Sequence, residues 1–508
     1  MPVLVGEPLT IADVVAVARG EPVELSAGAR ERMEASHRVV ERKAEAGETV
    51  YGVNTGLGSL ATVRLERDQI RLLQHDLLRS HAVGVGPALA EWEVRAMLLL
   101  RAHVLALGYS GVRPLVAERL IDFLNQDLLP VVPEQGSLGA SGDLAPLAHL
   151  ALPLIGEGHV SYRGESMPGA MALGRAGMQP IQLEPKEGLA LVNGTQAMLS
   201  VGVLASARGR ALAKAGDVVA AMTIEAILAT DRPFDERLHR LRPHPGQQVS
   251  ASNLRRLMAG SPIVASHRES PHLVQDAYSL RCAPVVHGAY RDVLAQAERV
   301  MEIEMGSISD NPIVFADTGE VVSGGNFHGQ PVAVALDALA LATVGLASIS
   351  ERRLYRLLDA GTNNGLPAFL VEHSGVQSGF MIVQYTAASI VSESKTLAHP
   401  ASVDSITSSA GQEDHVSMGM TAARHARECT GNAEVVVALE ALAAAQALDL
   451  RAPLRPSAAA SAALAAFREV IPALRESREL KPDVDAAVEL VRSGALTAAV
   501  EAVTGALG

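Results

Sequence analysis

The 508-residue sequence predicts a mainly α fold: a bundle of long antiparallel helices, preceded by a loop-rich N-terminal region and interrupted by small β-hairpins. Hydrophobic residues make up 48% of the chain and aromatics only 3%, so leucine and alanine, which favour helix over strand, carry the apolar content. The segment PVAVALDALALATVGLASISERRLYRLLD (331–359) has no proline after its first residue, and at about 1.5 Å per residue it would run roughly 40 Å. The two loops most broken by glycine, YGVNTGLGSLAT (51–62) and GSLGASGDLAPLAHL (136–150), both fall before residue 195.

In chain order, TIADVVAVARG (10–20) predicts a short helix with Thr10 as its N-cap and Gly20 past its end. SAGARERMEASHRVVERKAEAG (26–47) predicts a charged amphipathic helix, and EWEVRAMLLLRAHVLALG (91–108) another, closed by Gly108. GHVSYRGESMPG, within 156–185, has the best strand signal and predicts a small hairpin. From LALVNGTQ onward the helices lengthen. PIVFADTGEVVSGG (312–325) predicts a second hairpin, turning at Thr318-Gly319. Pro331 suits a first helical position, 380–398 and 420–450 add long helices, and SAAASAALAAF (457–467) is helix rather than tether. The pattern divides the chain into 1–195 and 196–508. The second part is the expected oligomerisation core, because its helices are apolar on more than one side.

The formal net charge of −13 and absence of a basic tract exclude non-specific nucleic-acid binding. Cys282 and Cys429 form no CxxC pair and no disulfide framework, which fits a reducing cytoplasm. The start, MPVLVGEPLTIADVV, lacks a signal-peptide pattern. The most apolar candidate span, EVVVALEALAAAQALDL (434–450), carries Glu434, Glu440 and Asp449 and is expected to be a buried helix, so no membrane partner is expected. Phosphate loops, HExxH, paired-cysteine zinc patterns and GxSxG are absent, and the sixteen histidines have no metal-like spacing.

The 136–150 loop offers its own chemistry. Gly139, Ala140, Ser141 and Gly142 have so little bulk that backbone atoms can approach closely. The Gly142 nitrogen can attack the Ala140 carbonyl carbon and close a five-membered ring. Loss of that water, and of the Ser141 hydroxyl as a second, leaves an exocyclic methylene, a strong electrophile. Asp143 stands where an N-cap would precede the following helix, whose N-terminus would stabilise negative charge.

GSLGASGDLAPLAHL resembles the signature of the aromatic amino acid ammonia-lyases, whose Ala-Ser-Gly becomes a methylidene-imidazolone (MIO) group. YGVNTGLG, QHDLLRSHAVGVG, LALVNGTQA, QDAYSLRCAP, SDNPIV with SGGNFHG, and SAGQEDHVSMG resemble further family motifs in the family order, from about residue 51 to 420. The resemblance implies a lyase architecture like that of the fumarase/aspartase enzymes and a homotetramer with shared active sites. It implies no metal or diffusible cofactor.

Residue by residue, Ala140, Ser141 and Gly142 match the MIO precursors, and Tyr51 matches a tyrosine placed to act as base. Tyr278 matches a second active-site tyrosine, Arg281 the arginine that holds the substrate carboxylate, and Gln275 in the same motif a substrate-binding residue. Asn193 matches the asparagine near the amino-acid end, and Phe327 a pocket-lining aromatic. The ring-recognising positions are His81, where the resemblance allows both histidine and tyrosine lyases, and Glu413, which separates them. Phenylalanine and tyrosine lyases resemble each other in a neutral glutamine at the second. A carboxylate suits an imidazole and would be stranded against a phenyl ring, so the expected substrate is L-histidine. Gln412 and His415 are candidates to orient Glu413. A tyrosine or phenylalanine lyase, or an aminomutase, on the same scaffold is the alternative. A fumarase-like lyase would need a GSSxMPxKxN-type loop that is absent here.

Overall fold

A computed structural model describes residues 2–46, 50, 52, 55, 67–269 and 274–508. The elements begin with β1 (Val3–Val5), α1 (Ile11–Ala18), β2 (Val23–Leu25), α2 (Ala27–Ala46), α3 (Arg67–His81), β3 (Val85–Ala88), α4 (Glu91–Ala106) and α5 (Pro114–Asn125). Then follow β4 (Leu128–Pro130), β5 (Pro133–Gln135), α6 (Leu144–Ala151), β6 (His159–Tyr162), β7 (Glu165–Pro168), α7 (Gly169–Arg175) and α8 (Glu187–Val192). The middle of the chain gives α9 (Gln196–Ala226), α10 (Glu236–Arg240), α11 (Pro245–Leu257), α12 (Pro262–Ser266), α13 (Tyr278–Arg281), α14 (Ala283–Met305), β8 (Ile313–Phe315) and β9 (Glu320–Val322). It ends with α15 (Gln330–Leu358), α16 (Met381–Leu397), α17 (Gly419–Leu450), α18 (Ala458–Val470), α19 (Lys481–Arg492) and α20 (Ala495–Thr504). The fold is mainly helical.

The local signals act as expected. Thr10 caps α1 through a reciprocal capping box with Asp13. Gly20 and Gly108 take φ of +105° and +86°, a left-handed region that costs other residues free energy. Both predicted hairpins form: β6 pairs with β7, and β8 with β9, with Gly319 at φ +74° in the turn. The first hairpin is extended to three strands by β4, and β1 pairs with β2 in parallel.

The chain divides into two compact units, each made of three stretches of sequence. One unit comprises Met1–Ala207, Ala297–Asp337 and Pro400–Arg424, and the other Arg208–Gln296, Ala338–His399 and His425–Gly508. The cause is that α9, α14, α15 and α17 are long enough to contribute residues to both. Among the described residues, the helix long and apolar enough to cross a membrane is α15 and not 434–450, and 61% of its most apolar window is buried inside the protein. Glu434 and Glu440 on α17 are buried and ion-paired, which is how that helix carries charge inside.

Within the second unit, α9, α14, α15 and α17 meet around buried charge. Glu440 accepts from Arg353 Nε at 2.6 Å and Nη2 at 2.8 Å, from Ser350 Oγ at 2.6 Å and from Thr223 Oγ1 at 2.7 Å. Asp217 takes His287, Arg291, Ser250 and Asn253 in the same way. Both cysteines are free, and burial pushes the Cys429 thiol up to about 12.

Candidate active site

The first unit contains a cavity of about 800 Å³, lined in part by His81, Ala140, Ser141, Asn193, Phe327 and Glu413. Six sequence-predicted residues, drawn from positions 81 to 413, therefore meet in one place.

The Ala-Ser-Gly loop is held from both sides. Gly142 lies parallel to Gly194, with Asp143 N donating to Gly194 O at 2.7 Å and Gly194 N donating to Ser141 O at 3.2 Å. Gly142 adopts φ +79°, and a Cβ there would meet Gly194 O at 2.1 Å, so only glycine fits. On the other side Met418 N donates to Leu138 O at 2.9 Å, and Ala140 packs with Val416 and Met418. This close-packed backbone, with a glycine nitrogen following Ser141, suits an internal cyclisation of Ala140-Ser141-Gly142.

Asp143 occupies the N-cap position of α6 but makes no side-chain cap to it, contrary to expectation. Its carboxylate instead accepts from Ser137 Oγ at 2.7 Å and from Met198 N, in the first turn of α9, at 2.8 Å. Burial raises its pKa to about 6 against these stabilising bonds. Asp143 thus ties the loop to the start of α9.

Glu413 reaches Ser141 Oγ at 3.4 Å, and its other oxygen accepts from Ser408 Oγ at 2.7 Å. Ser408 also pairs with Glu413 through the backbone, so it holds the carboxylate, a role expected of Gln412 or His415. Gln412 and His415 line the cavity. His415 lies edge-on to His328, with ring centroids 5.8 Å apart. His81 ends α3, and burial lowers its pKa while the Glu413 charge opposes that shift. Neutral His81 can donate or accept at one edge of a bound ring.

Asn193 ends α8. Its Nδ2 donates to Asp310 Oδ1 at 3.3 Å and to Asn311 O at 3.2 Å, and its carbonyl accepts from Arg101 Nη1 at 2.8 Å. Asp310 is paired in turn with Lys186 Nζ at 2.8 Å, both fully buried. Sequence reasoning missed Asn311, His328, Lys186, Asp310 and Arg101. Asn311 and His328 stand inside quoted motifs, SDNPIV and GGNFHG, whereas nothing local marks Arg101 in an apolar helix.

Gln275, Tyr278 and Arg281 are not among the residues lining this cavity. They belong to the second unit, where Tyr278 is 71% exposed and the Arg281 guanidinium stacks over its ring at 4.5 Å. Gln275 borders a separate cavity of about 410 Å³. Tyr51 lies outside the described residues. Among the described residues no group of three or more His, Cys, Asp or Glu is arranged to hold a metal ion.

A tightly packed Ala-Ser-Gly loop facing a cavity that also holds Glu413 and His81, in a mainly helical fold, points to a carbon–nitrogen lyase as the class to test. The family model for aromatic amino acid lyases matches residues 9–469, and the chain belongs to that family. A histidine ammonia-lyase of Sorangium cellulosum is 55% identical over 99% of this chain and 100% of its own length. The crystal structure of histidine ammonia-lyase from Trypanosoma cruzi is 41% identical with a TM-score of 0.92, covering 99% of this chain and 95% of that one. A tyrosine aminomutase from Streptomyces globisporus is 38% identical with a TM-score of 0.94, each chain covered in full at 100%. Backbone similarity therefore does not discriminate among substrates, and the side chains must.

Proposed function

We propose that this chain is a histidine ammonia-lyase, converting L-histidine to trans-urocanate and ammonia. The observation that carries this reading is the presence of Glu413 and His81 in the same cavity as Ser141, with Glu413 at 3.4 Å from the Ser141 hydroxyl. A half-buried carboxylate and an imidazole make a polar wall that a phenyl ring would leave without a partner.

The site matures from its own backbone. The Gly142 nitrogen attacks the Ala140 carbonyl carbon and one water leaves, and Ser141 then loses its Cα proton and its hydroxyl as a second water. The resulting MIO supplies an electrophile that makes the substrate amine a better leaving group. Arg281 holds the substrate carboxylate, and we assign it with Tyr278 and Gln275 to a neighbouring chain of a homotetramer. Exposed apolar side chains support that assembly, among them Val334 and Leu341 on α15 and Ile382 and Tyr385 on α16. Asn193 orients the amino-acid end and Phe327 packs against the substrate. Glu413 and His81 fix the imidazole. Tyr51 takes the β-proton, the Cα–N bond breaks, the Cα=Cβ bond forms and ammonia departs. Free cysteines support a cytoplasmic setting.

The purified protein should be offered L-histidine, L-tyrosine and L-phenylalanine separately, with the conjugated product followed in the ultraviolet. Absorbance from histidine alone is expected, and turnover of tyrosine without histidine would replace this reading with the lyase or aminomutase alternative. Ser141→Ala should abolish the loss of two waters in the intact mass and lower kcat by about 10³-fold or more.

A further inference from the structure

Arg101, in the middle of α4, is fully buried. Nη1 donates to Asn193 O at 2.8 Å, while Nε and Nη2 find no hydrogen-bond partner among the described residues. Burying a guanidinium on one neutral hydrogen bond is unfavourable unless the charge serves something. The charge of Asp310 acts on it electrostatically, but the hydrogen bonds of that carboxylate go to other groups, among them Lys186, Asn193 and Asn311.

The bond that Arg101 does make has a direction. The carbonyl of Asn193 and the N–H of Gly194 are two ends of one peptide group. A cation on the carbonyl end polarises that group and strengthens its N–H as a donor. The Gly194 N–H points at the Ser141 carbonyl oxygen at 3.2 Å, and the Gly194 carbonyl is fixed by Asp143 N at 2.7 Å. A Cβ on Gly194 would meet Gln196 Oε1 at 2.4 Å, Ser309 O at 2.6 Å and Arg101 Nη1 at 2.9 Å, so only glycine lets the chain pass this close to the guanidinium.

We propose that Arg101 is a positioning residue for the dehydration of Ser141, acting through the Asn193–Gly194 peptide. The inference rests on the cyclisation reading above. When Ser141 loses water, its Cα–H bond breaks and the electron pair spreads onto the Ser141 carbonyl oxygen. The Cα=Cβ bond then forms as the Cβ–Oγ bond breaks, and hydroxide leaves with the proton as one water. The Gly194 N–H sits at the oxygen where that negative charge develops, and Arg101 supplies the field behind it.

The test uses the full chain and a readout independent of turnover. Wild type, Arg101→Lys, Arg101→Gln and Arg101→Met are expressed, checked by circular dichroism and melting, and digested. The mass of the peptide carrying residues 136–150 is then followed with time. Wild type should lose two waters. Arg101→Lys should reach the same mass within about ten-fold of the wild-type rate, whereas Arg101→Gln and Arg101→Met should stall at one water lost, with the second slowed by about 10²-fold or more. Both waters leaving Arg101→Gln or Arg101→Met at the wild-type rate would overturn the proposal. So would Arg101→Lys no faster than Arg101→Gln, a comparison that decides alone if Arg101→Met does not fold. A wild-type peptide of full mass would instead remove the cyclisation reading, and this inference with it.

Discussion

Glu440 in the second unit accepts four short hydrogen bonds from Arg353, Ser350 and Thr223, and every lone-pair direction of its carboxylate is used. Asp310 in the first unit is as deeply buried and also pairs with a cation, Lys186, but beside it Arg101 keeps two nitrogens without partners among the described residues. The first cluster closes on itself, while the second leads through Asn193 and Gly194 to Ser141. Saturation is what buried charge needs for stability, and an unfinished network is what it needs to act on a reacting atom.

The largest expected effect compares the two anions directly. Asp310→Asn and Glu440→Gln each leave a buried cation under-compensated, so each should lower unfolding free energy by about 3–5 kcal/mol in denaturant titrations. Only Asp310→Asn should also lower kcat per folded molecule, because Asn193 loses its anchor. A Glu440→Gln protein that folds but turns over slowly would erase the distinction.

Asp143 tests the same contrast by pH. Its folded pKa of about 6 lies above the ordinary 3.8, so the folded state holds a proton that the unfolded chain has released between those values. Stability therefore falls as pH rises from about 4 to 6, and the whole penalty of about 3 kcal/mol is present above pH 6. Asp143→Asn mimics the neutral acid, so it should match wild type near pH 4 and exceed it by up to about 3 kcal/mol above pH 6. Unfolding titrations from pH 4 to 8 that give a constant difference would mean that burial is not what perturbs Asp143.

The sequence revealed most where the physics is local. Thr10 with Asp13, Gly20, Gly108 and Thr318-Gly319 set ends and turns within a few residues, and those features are present. The three-residue strands β1, β2, β4 and β5 were not legible, because so short a run has no period to read and none of them pairs across a tight turn such as the one that marks β8 and β9. The two-unit division was hidden for the opposite reason: it depends on where helices of 29 to 32 residues pack along their length. At the site, the motifs led to His81, Ser141, Asn193, Phe327 and Glu413, which share one cavity. They could not lead to Ser408 or Arg101, whose roles exist only once distant segments meet.

The smallest expected effects come from a matched pair of serines, which bears most directly on whether the two regions differ in kind. Ser350 Oγ donates to Glu440 at 2.6 Å, and Ser408 Oγ donates to Glu413 at 2.7 Å, so the same chemical group is removed from each carboxylate. Ser350→Ala takes one of four bonds from an anion still gripped by Arg353 and Thr223. Its expected loss is about 1–2 kcal/mol of stability, with kcat/KM for histidine unchanged. Ser408→Ala leaves Glu413 free to rotate in a cavity open to water, which can replace the lost bond, so melting should hardly move. The carboxylate would no longer be held for the imidazole, and kcat/KM should fall about ten-fold. Melting curves and kinetics on the two variants should thus give opposite patterns. Equal kinetic losses would mean that the Glu440 cluster also shapes the site, and equal losses of stability would mean that Glu413 is structural.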